Sequence, residues 1–248
     1  MATHRYLSRA PVTEAVVDLR LRLDVDFDVN SLRSLEGEIG YKAPKDIKLF
    51  EMGLHTIQGE PPQALHVDRG LVGLRFKSSD GRQIAQLRKD GFTFSRLAPY
   101  TNWEKVFAEA SRIYKLYAIS AKPDEATRPA VRFINRMELP SADVGDFSPF
   151  LTAPPQFIKD QNVFLTGFLT QVQIAEPDST ICATVIQTIQ TDKADDSIVP
   201  VILDLDVFDP QTFDPDPEVV LSRFAALRET KNRYFFSSIT DKAADLFT

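Results

Sequence analysis

The chain has 248 residues, 43% of them hydrophobic and 26% charged, with a formal net charge of −6. That is enough apolar material for a core without disulfide or metal staples, and the acidic balance argues against general nucleic-acid binding. A single cysteine, Cys182, excludes an intrachain disulfide. The start MATHRYLSRAPV has no apolar signal core, and no run approaches the ~18 apolar residues of a membrane span. The expected setting is cytoplasmic, with no membrane partner.

Taken in chain order, Val17, Leu19, Leu21 and Leu23 alternate with Asp18, Arg20, Arg22 and Asp24, which predicts a half-buried strand within Val12–Leu23. A short helix capped at Asn30 or Ser31 should gather Leu32, Leu35 and Ile39 and stop at Gly40. Two strands are expected at Lys48–Gln58 and Leu71–Ser78, around a loop GEPPQALHVDR whose prolines exclude a central strand. Arg82–Lys89 and Phe92–Leu97 read as a hairpin across Asp90-Gly91, because both turn residues tolerate positive φ. Thr101 and Glu104 have capping-box spacing, and Trp103, Val106, Phe107, Ala110, Tyr114 and Tyr117 then share one face of a long helix.

The polar segment Ala121–Pro129 is the expected boundary between pseudo-halves 1–122 and 128–248. Beyond it come a strand at Val131–Leu139, a helical piece at Asp146–Leu151, β-rich runs at Val163–Ile174 and Thr180–Gln190, and a strand at Val199–Val207. Asp216-Pro217 caps a helix reaching about Phe236, with Val220, Phe224, Leu227 and Tyr234 along one side. Thr240–Phe247 adds a final helical turn or two. Both halves read strand, short helix, antiparallel strands, long helix. The expected class is therefore α+β, a pseudo-duplicated unit forming a strongly curved antiparallel sheet or half-barrel with two long helices on it.

Four stretches, APVTEAVVDLRLR, GRQIAQLRKDGFTFSRLAPYTNWEKV, VRFINRMELP and SSITDKAADLF, occur in this order across nearly the whole chain. On these the chain resembles an uncharacterised, sporadically distributed family of bacterial proteins of about this length. The resemblance implies one full-length unit. It carries no activity and no site residues.

No phosphate-cradling, dinucleotide or nucleophile-elbow motif is present. His4, His55 and His66 lack zinc-ligand spacing, Cys182 sits among threonines and isoleucines, and no cofactor, metal or catalytic residue is expected. The carboxylate-rich stretch Asp204–Glu218 reads as a solvated loop and helix cap, and Glu14 and Asp18 as the wet face of a strand. Three consecutive aromatics, Tyr234, Phe235 and Phe236, cannot share one helix face, so one of them should meet the terminal segment or a partner.

Arginine placement is the one chemical signal. Arg132 and Arg136 share a strand face with Ile134 and Glu138, opposite Val131, Phe133, Asn135 and Met137. With Arg75, Arg88 and Arg96 they form the candidate ligand-binding set, since guanidinium forks suit phosphate and carboxylate. Arg20, Arg22 and Lys77 are further strand cations that could join them. The competing reading pairs these cations with Asp18, Glu51 and Glu138 across neighbouring strands. Two functions follow. The first is a non-enzymatic interaction or regulatory protein, antitoxin- or accessory-like, whose partner is another protein or a second copy. The second is a binder or enzyme for a nucleotide, polyphosphate or other small anion, held on the arginine-lined sheet face opposite the long helix.

Overall fold

The computed structural model of the chain describes residues 1–55, 63–140, 146–156, 165–190 and 198–248. Among these residues nine strands form one sheet: β1 Val12–Arg22, β2 Lys42–His55, β3 Gln63–Lys77, β4 Gln83–Arg88, β5 Gly91–Leu97, β6 Glu125–Pro140, β7 Leu169–Ala175, β8 Cys182–Ile189 and β9 Ile198–Phe208. Their order is β2-β3-β4-β5-β1-β6-β9-β8-β7, antiparallel throughout. β2 and β7 are the two edges, so the sheet is open and the class is α+β. The helices are α1 Glu36–Ile39, α2 Trp103–Ala121, α3 Pro217–Ser238 and α4 Asp241–Asp245, with a 3₁₀ segment, Val29–Leu35, leading into α1.

Strand alternation decides what lies on each side of the sheet. Ala15, Val17 and Leu19 on β1, Phe92 and Phe94 on β5, Val131 and Phe133 on β6, and Leu203 and Leu205 on β9 are all buried on one face. The registers Val17↔Phe94, Val17↔Val131 and Phe133↔Leu205 place them side by side. α2 lays Tyr114 and Tyr117 over Phe92, at 5.5 and 6.2 Å between ring centroids. Phe224 of α3 meets Phe107 of α2 at 5.7 Å, joining the two helices. Each fully buried side chain of this kind is worth about 1.5–3 kcal/mol.

The β4–β5 hairpin forms where the sequence predicts, but its two turn residues are Lys89 and Asp90, because Gly91 already pairs with Arg88 as the first residue of β5. Gly91 has φ 153°, and a Cβ there would stand 2.1 Å from the Leu19 carbonyl oxygen, so only glycine lets β5 approach β1 at this point.

Local expectations are corrected in several places. The α2 cap is Asn102 and not Thr101, because the Asn102 side chain accepts the Lys105 amide at 2.9 Å. Asp28 caps the 3₁₀ segment in place of Asn30 or Ser31, accepting the Asn30 amide at 2.9 Å. β2 and β3 are longer than predicted: residues 63–68, read as loop, pair with the edge strand β2. Pro61 and Pro62 lie outside the described residues, as do residues 163–164 of the Val163–Ile174 run. The boundary segment shrinks, since β6 begins at Glu125 and takes in Pro129, two residues past a bulge at Thr127 opposite Arg20 and Leu21 of β1. Asp146–Leu151 forms hydrogen-bonded turns rather than a helix, with Leu151 bridged to Ile239. Asp204 and Asp206 belong to β9, so the acidic loop begins only after Phe208.

Candidate functional site

The arginines come first. Arg75, Arg88, Arg132 and Arg136 stand on the open face, away from the helices, as their registers with Gln86, Gly91, Val16 and Ile202 require. Arg96 does not join them. It alternates with Phe92 and Phe94, opposite Ala15, on the helix side.

Most of this set is already engaged by carboxylates. Arg132 grips Asp204 bidentately, at 2.9 Å from Nε to Oδ1 and 2.5 Å from Nη2 to Oδ2, and that hydrogen-bonded contact pushes its pKa further up. Arg88 donates to Asp90 at 2.9 Å and to the Thr93 hydroxyl at 2.6 Å. Asp18 accepts from Thr93 at 2.5 Å and lies 3.6, 3.7 and 3.8 Å from Arg88, Arg20 and Arg128. Arg128 also donates to Asp206 at 2.7 Å. Burial pushes the Asp90 carboxyl up, but the Arg88 hydrogen bond and the Arg88 and Arg20 charges outweigh it and hold it below the usual range. Arg136 and Arg96 have looser contacts, 3.8 Å to Glu138 and 3.8 Å to Asp80. Arg75 is exposed and stands opposite Lys45, with no ion pair among the described residues. The side chain of Glu51 is not among those described. A ligand on this face would have to displace carboxylates already in place.

Two open hollows lie on the helix side. A hollow of about 410 Å³ opens between the N-terminal arm, residues 100–104, β6 and α3. The arm reaches it because it is tied to the end of the chain. The Ala2 amide donates to the Phe236 and Ile239 carbonyls at 2.9 and 2.8 Å, Arg9 donates its amide to Phe247 at 2.9 Å, and Arg5 pairs with Asp245 at 2.5 Å. His4 meets the Phe236 ring at 4.8 Å, edge to face, while Phe236 lies 5.2 Å from Phe235. This resolves the three consecutive aromatics: Tyr234, Phe235 and Phe236 are all buried because the terminal segment covers the third.

Aromatic rings build the walls. Phe133 is central, 5.7 Å from Tyr100 and 6.2 Å from Trp103, which stacks on Phe107 at 5.1 Å. A second hollow of about 860 Å³ runs along α3 and shares His4, Trp103, Arg228, Asn232 and Phe236 with the first. Asn135 is 2% exposed, and its Nδ2 donates to the Phe133 and Leu203 carbonyls at 3.2 and 3.0 Å. Two carbonyl acceptors fix the orientation of that amide and leave Oδ1 as its acceptor.

Lys231 is the residue that sequence reasoning missed. It is 8% exposed, its Nζ lies 3.8 Å from the Phe133 ring centroid, and it donates to Asn232 Oδ1 at 2.6 Å. Among the described residues no carboxylate pairs with it. Burial, helped by the Arg228 charge, pulls its pKa down to about 7. Arg228, one turn earlier, meets Glu104 at 3.0 Å and faces the Trp103 ring at 5.8 Å. Burial also pushes the Tyr100 phenol up to about 12, so at neutral pH it is a donor. The hollow therefore combines flat apolar walls, an amine whose charged form burial disfavours, and an arginine. Among the described residues no group of His, Cys, Asp and Glu has a metal-binding arrangement.

Comparison of the chain with family models, characterised proteins and solved structures returned no match.

Proposed function

We propose that the protein binds a small organic anion with a flat body in the hollow beneath its N-terminal arm. One observation carries this reading: Lys231 is a buried amine with no carboxylate partner among the described residues. Burying an ammonium without a counter-charge costs several kcal/mol, and an incoming anion would supply what is missing. The rings of Tyr100, Trp103, Phe133 and Phe235 suit a planar body, and Arg228 adds a second cation. The anion-binding function expected from the arginines is thereby moved to the other side of the sheet. Trp103 is the only tryptophan and lines both hollows, so its fluorescence is the natural reporter. Titration with 3-phenylpropionate, a flat ring carrying one carboxylate, should change that fluorescence saturably, and Lys231→Met should weaken the response at least tenfold. An unsaturable response, or one equal in the variant, would remove the basis of the reading.

A second reading, contact with an acidic protein segment, rests on β2 and β3. Lys42 stands opposite Lys77 and Lys45 opposite Arg75, and like charges in direct register are unfavourable unless something anionic covers them. Leu49 and Phe50 on the edge strand are 46% and 60% exposed beside these cations. Phe50→Asp should abolish a stoichiometric complex isolated from native cells while leaving the melting temperature of the free chain unchanged. A complex that survives the substitution would exclude this edge.

We further infer that the chain is a pseudo-duplicated unit of halves 1–122 and 128–248. Each half has a leading strand, a meander whose last strand returns beside it, and a long helix. The mirrored order around β1 and β6 supports this.

A further inference from the structure

We propose that Lys231 is a carbonyl-reactive amine and that the ligand is a 2-oxo carboxylate, held by Arg228 through its carboxylate while its carbonyl carbon condenses with Nζ. This rests on the ligand reading above and narrows it to one substrate class. The geometry has three parts. Lys231 and Arg228 are three residues apart on α3, so their long side chains rise from one face about 5–6 Å apart at Cβ, near enough to converge on one small ligand. Both line the same hollow, with Tyr100, Trp103, Phe133 and Asn135 around them. Nζ spends one hydrogen bond on Asn232 Oδ1 and lies against the Phe133 ring, with no carboxylate among the described residues to hold it as an ammonium. Arg228 meets Glu104 through Nη2, which leaves the rest of its fork for a ligand. A lysine beside a second cation in an apolar pocket is kept in its neutral, nucleophilic form, and the downward pKa of Lys231 agrees.

The step balances without any redox partner. The Nζ lone pair attacks the carbonyl carbon, one N–H proton is lost and the carbonyl oxygen is protonated, giving a carbinolamine. Loss of water then leaves a C=N bond in place of C=O, and hydrolysis reverses it. The Tyr100 phenol and the Asn135 carboxamide line the hollow in which that oxygen leaves.

The test compares two probes of one shape, phenylpyruvate and 3-phenylpropionate, on the full chain at pH 7 with cyanoborohydride present. Phenylpyruvate should give a single reduced adduct by intact mass, mapped by peptide analysis to Lys231. Its rate should exceed that of the surface lysines about tenfold or more, since an ordinary lysine is almost wholly protonated at that pH. Lys231→Met should lose the adduct while melting cooperatively, and Arg228→Ala should slow it at saturating borohydride through a raised probe requirement. Adducts spread evenly over surface lysines, or unchanged in Lys231→Met, would overturn the proposal. If in that case 3-phenylpropionate still quenches Trp103 saturably, the imine chemistry fails and anion binding stands. If neither probe perturbs Trp103, both fall.

Discussion

The open face of the sheet and the hollow on its helix side treat positive charge in opposite ways. On the open face Asp18 has Arg20, Arg88 and Arg128 within 4 Å, while Asp206 takes Arg128 and Asp204 takes Arg132 in a bidentate fork. Arg88 of β4, Asp18 of β1, Arg128 and Arg132 of β6, and Asp204 and Asp206 of β9 alternate in sign, so each desolvation cost is offset locally. In the hollow Lys231 is more deeply buried than any of those arginines, yet its partners are an amide oxygen and a ring. Satisfied charge of the first kind is sheet architecture. Unsatisfied charge of the second kind lowers stability, and its natural compensation is a ligand.

Removing charge should therefore have opposite signs in the two regions. The largest effect is expected from pH. The folded pKa of Lys231, about 7, lies below the ordinary 10.5. Between those values the unfolded chain holds the extra proton, so stability rises as pH rises through this window. The penalty is fully present below pH 7 and gone above the unfolded value. Its ceiling is about 4–5 kcal/mol. His4, Arg5, Tyr100, Glu104 and Arg228 also face the hollow, and Tyr100, raised from 10.0 to about 12, opposes the rise only near the top of the window. Lys231→Met should flatten the rise in denaturant titrations at pH 7 and 10, and at pH 7 should be more stable by about 1–4 kcal/mol. Asp18→Ala should instead destabilise, by about 2 kcal/mol in urea, because it leaves Arg88 and its neighbours uncompensated and removes the Thr93 hydrogen bond. The smallest effect belongs to Arg136→Ala, whose 3.8 Å contact with Glu138 is half exposed. A loss below about 0.5 kcal/mol is expected there, shrinking further in high salt. If Asp18→Ala and Lys231→Met moved stability in the same direction, the contrast between the regions would be wrong.

Much of this was legible in the chain. Period-2 alternation placed β1, β6 and β9 and sorted their faces, because strand burial is a local signal, while the hairpin signal placed β4 and β5 but left Arg96 on the wrong side of the sheet. Pairing partners were not legible: that Arg132 meets Asp204 depends on β9 lying beside β6, a contact across 72 residues of chain. Pro129 was read as a breaker, yet its carbonyl accepts from Asp209, so its nitrogen points past the end of β9, where the ladder needs no N–H. Lys231 left a signal that went unread. The stripe Val220, Phe224, Leu227 and Tyr234 steps by four, then three, and the missing member before Tyr234 is residue 231. A lysine on an apolar stripe is a buried amine in waiting. The arm that roofs it was invisible, since His4 meets Phe236 only once both ends of the chain come together.

The most direct test is the titration of Lys231 itself. In protein labelled with ¹³C and ¹⁵N at lysine, its side-chain resonance can be assigned by its disappearance in Lys231→Met and followed against pH. A midpoint near 7 is expected, shifting upward when 3-phenylpropionate is added, because a bound carboxylate stabilises the ammonium. A midpoint near 10.5, unmoved by the carboxylate, would contradict an uncompensated buried amine and the ligand site built around it.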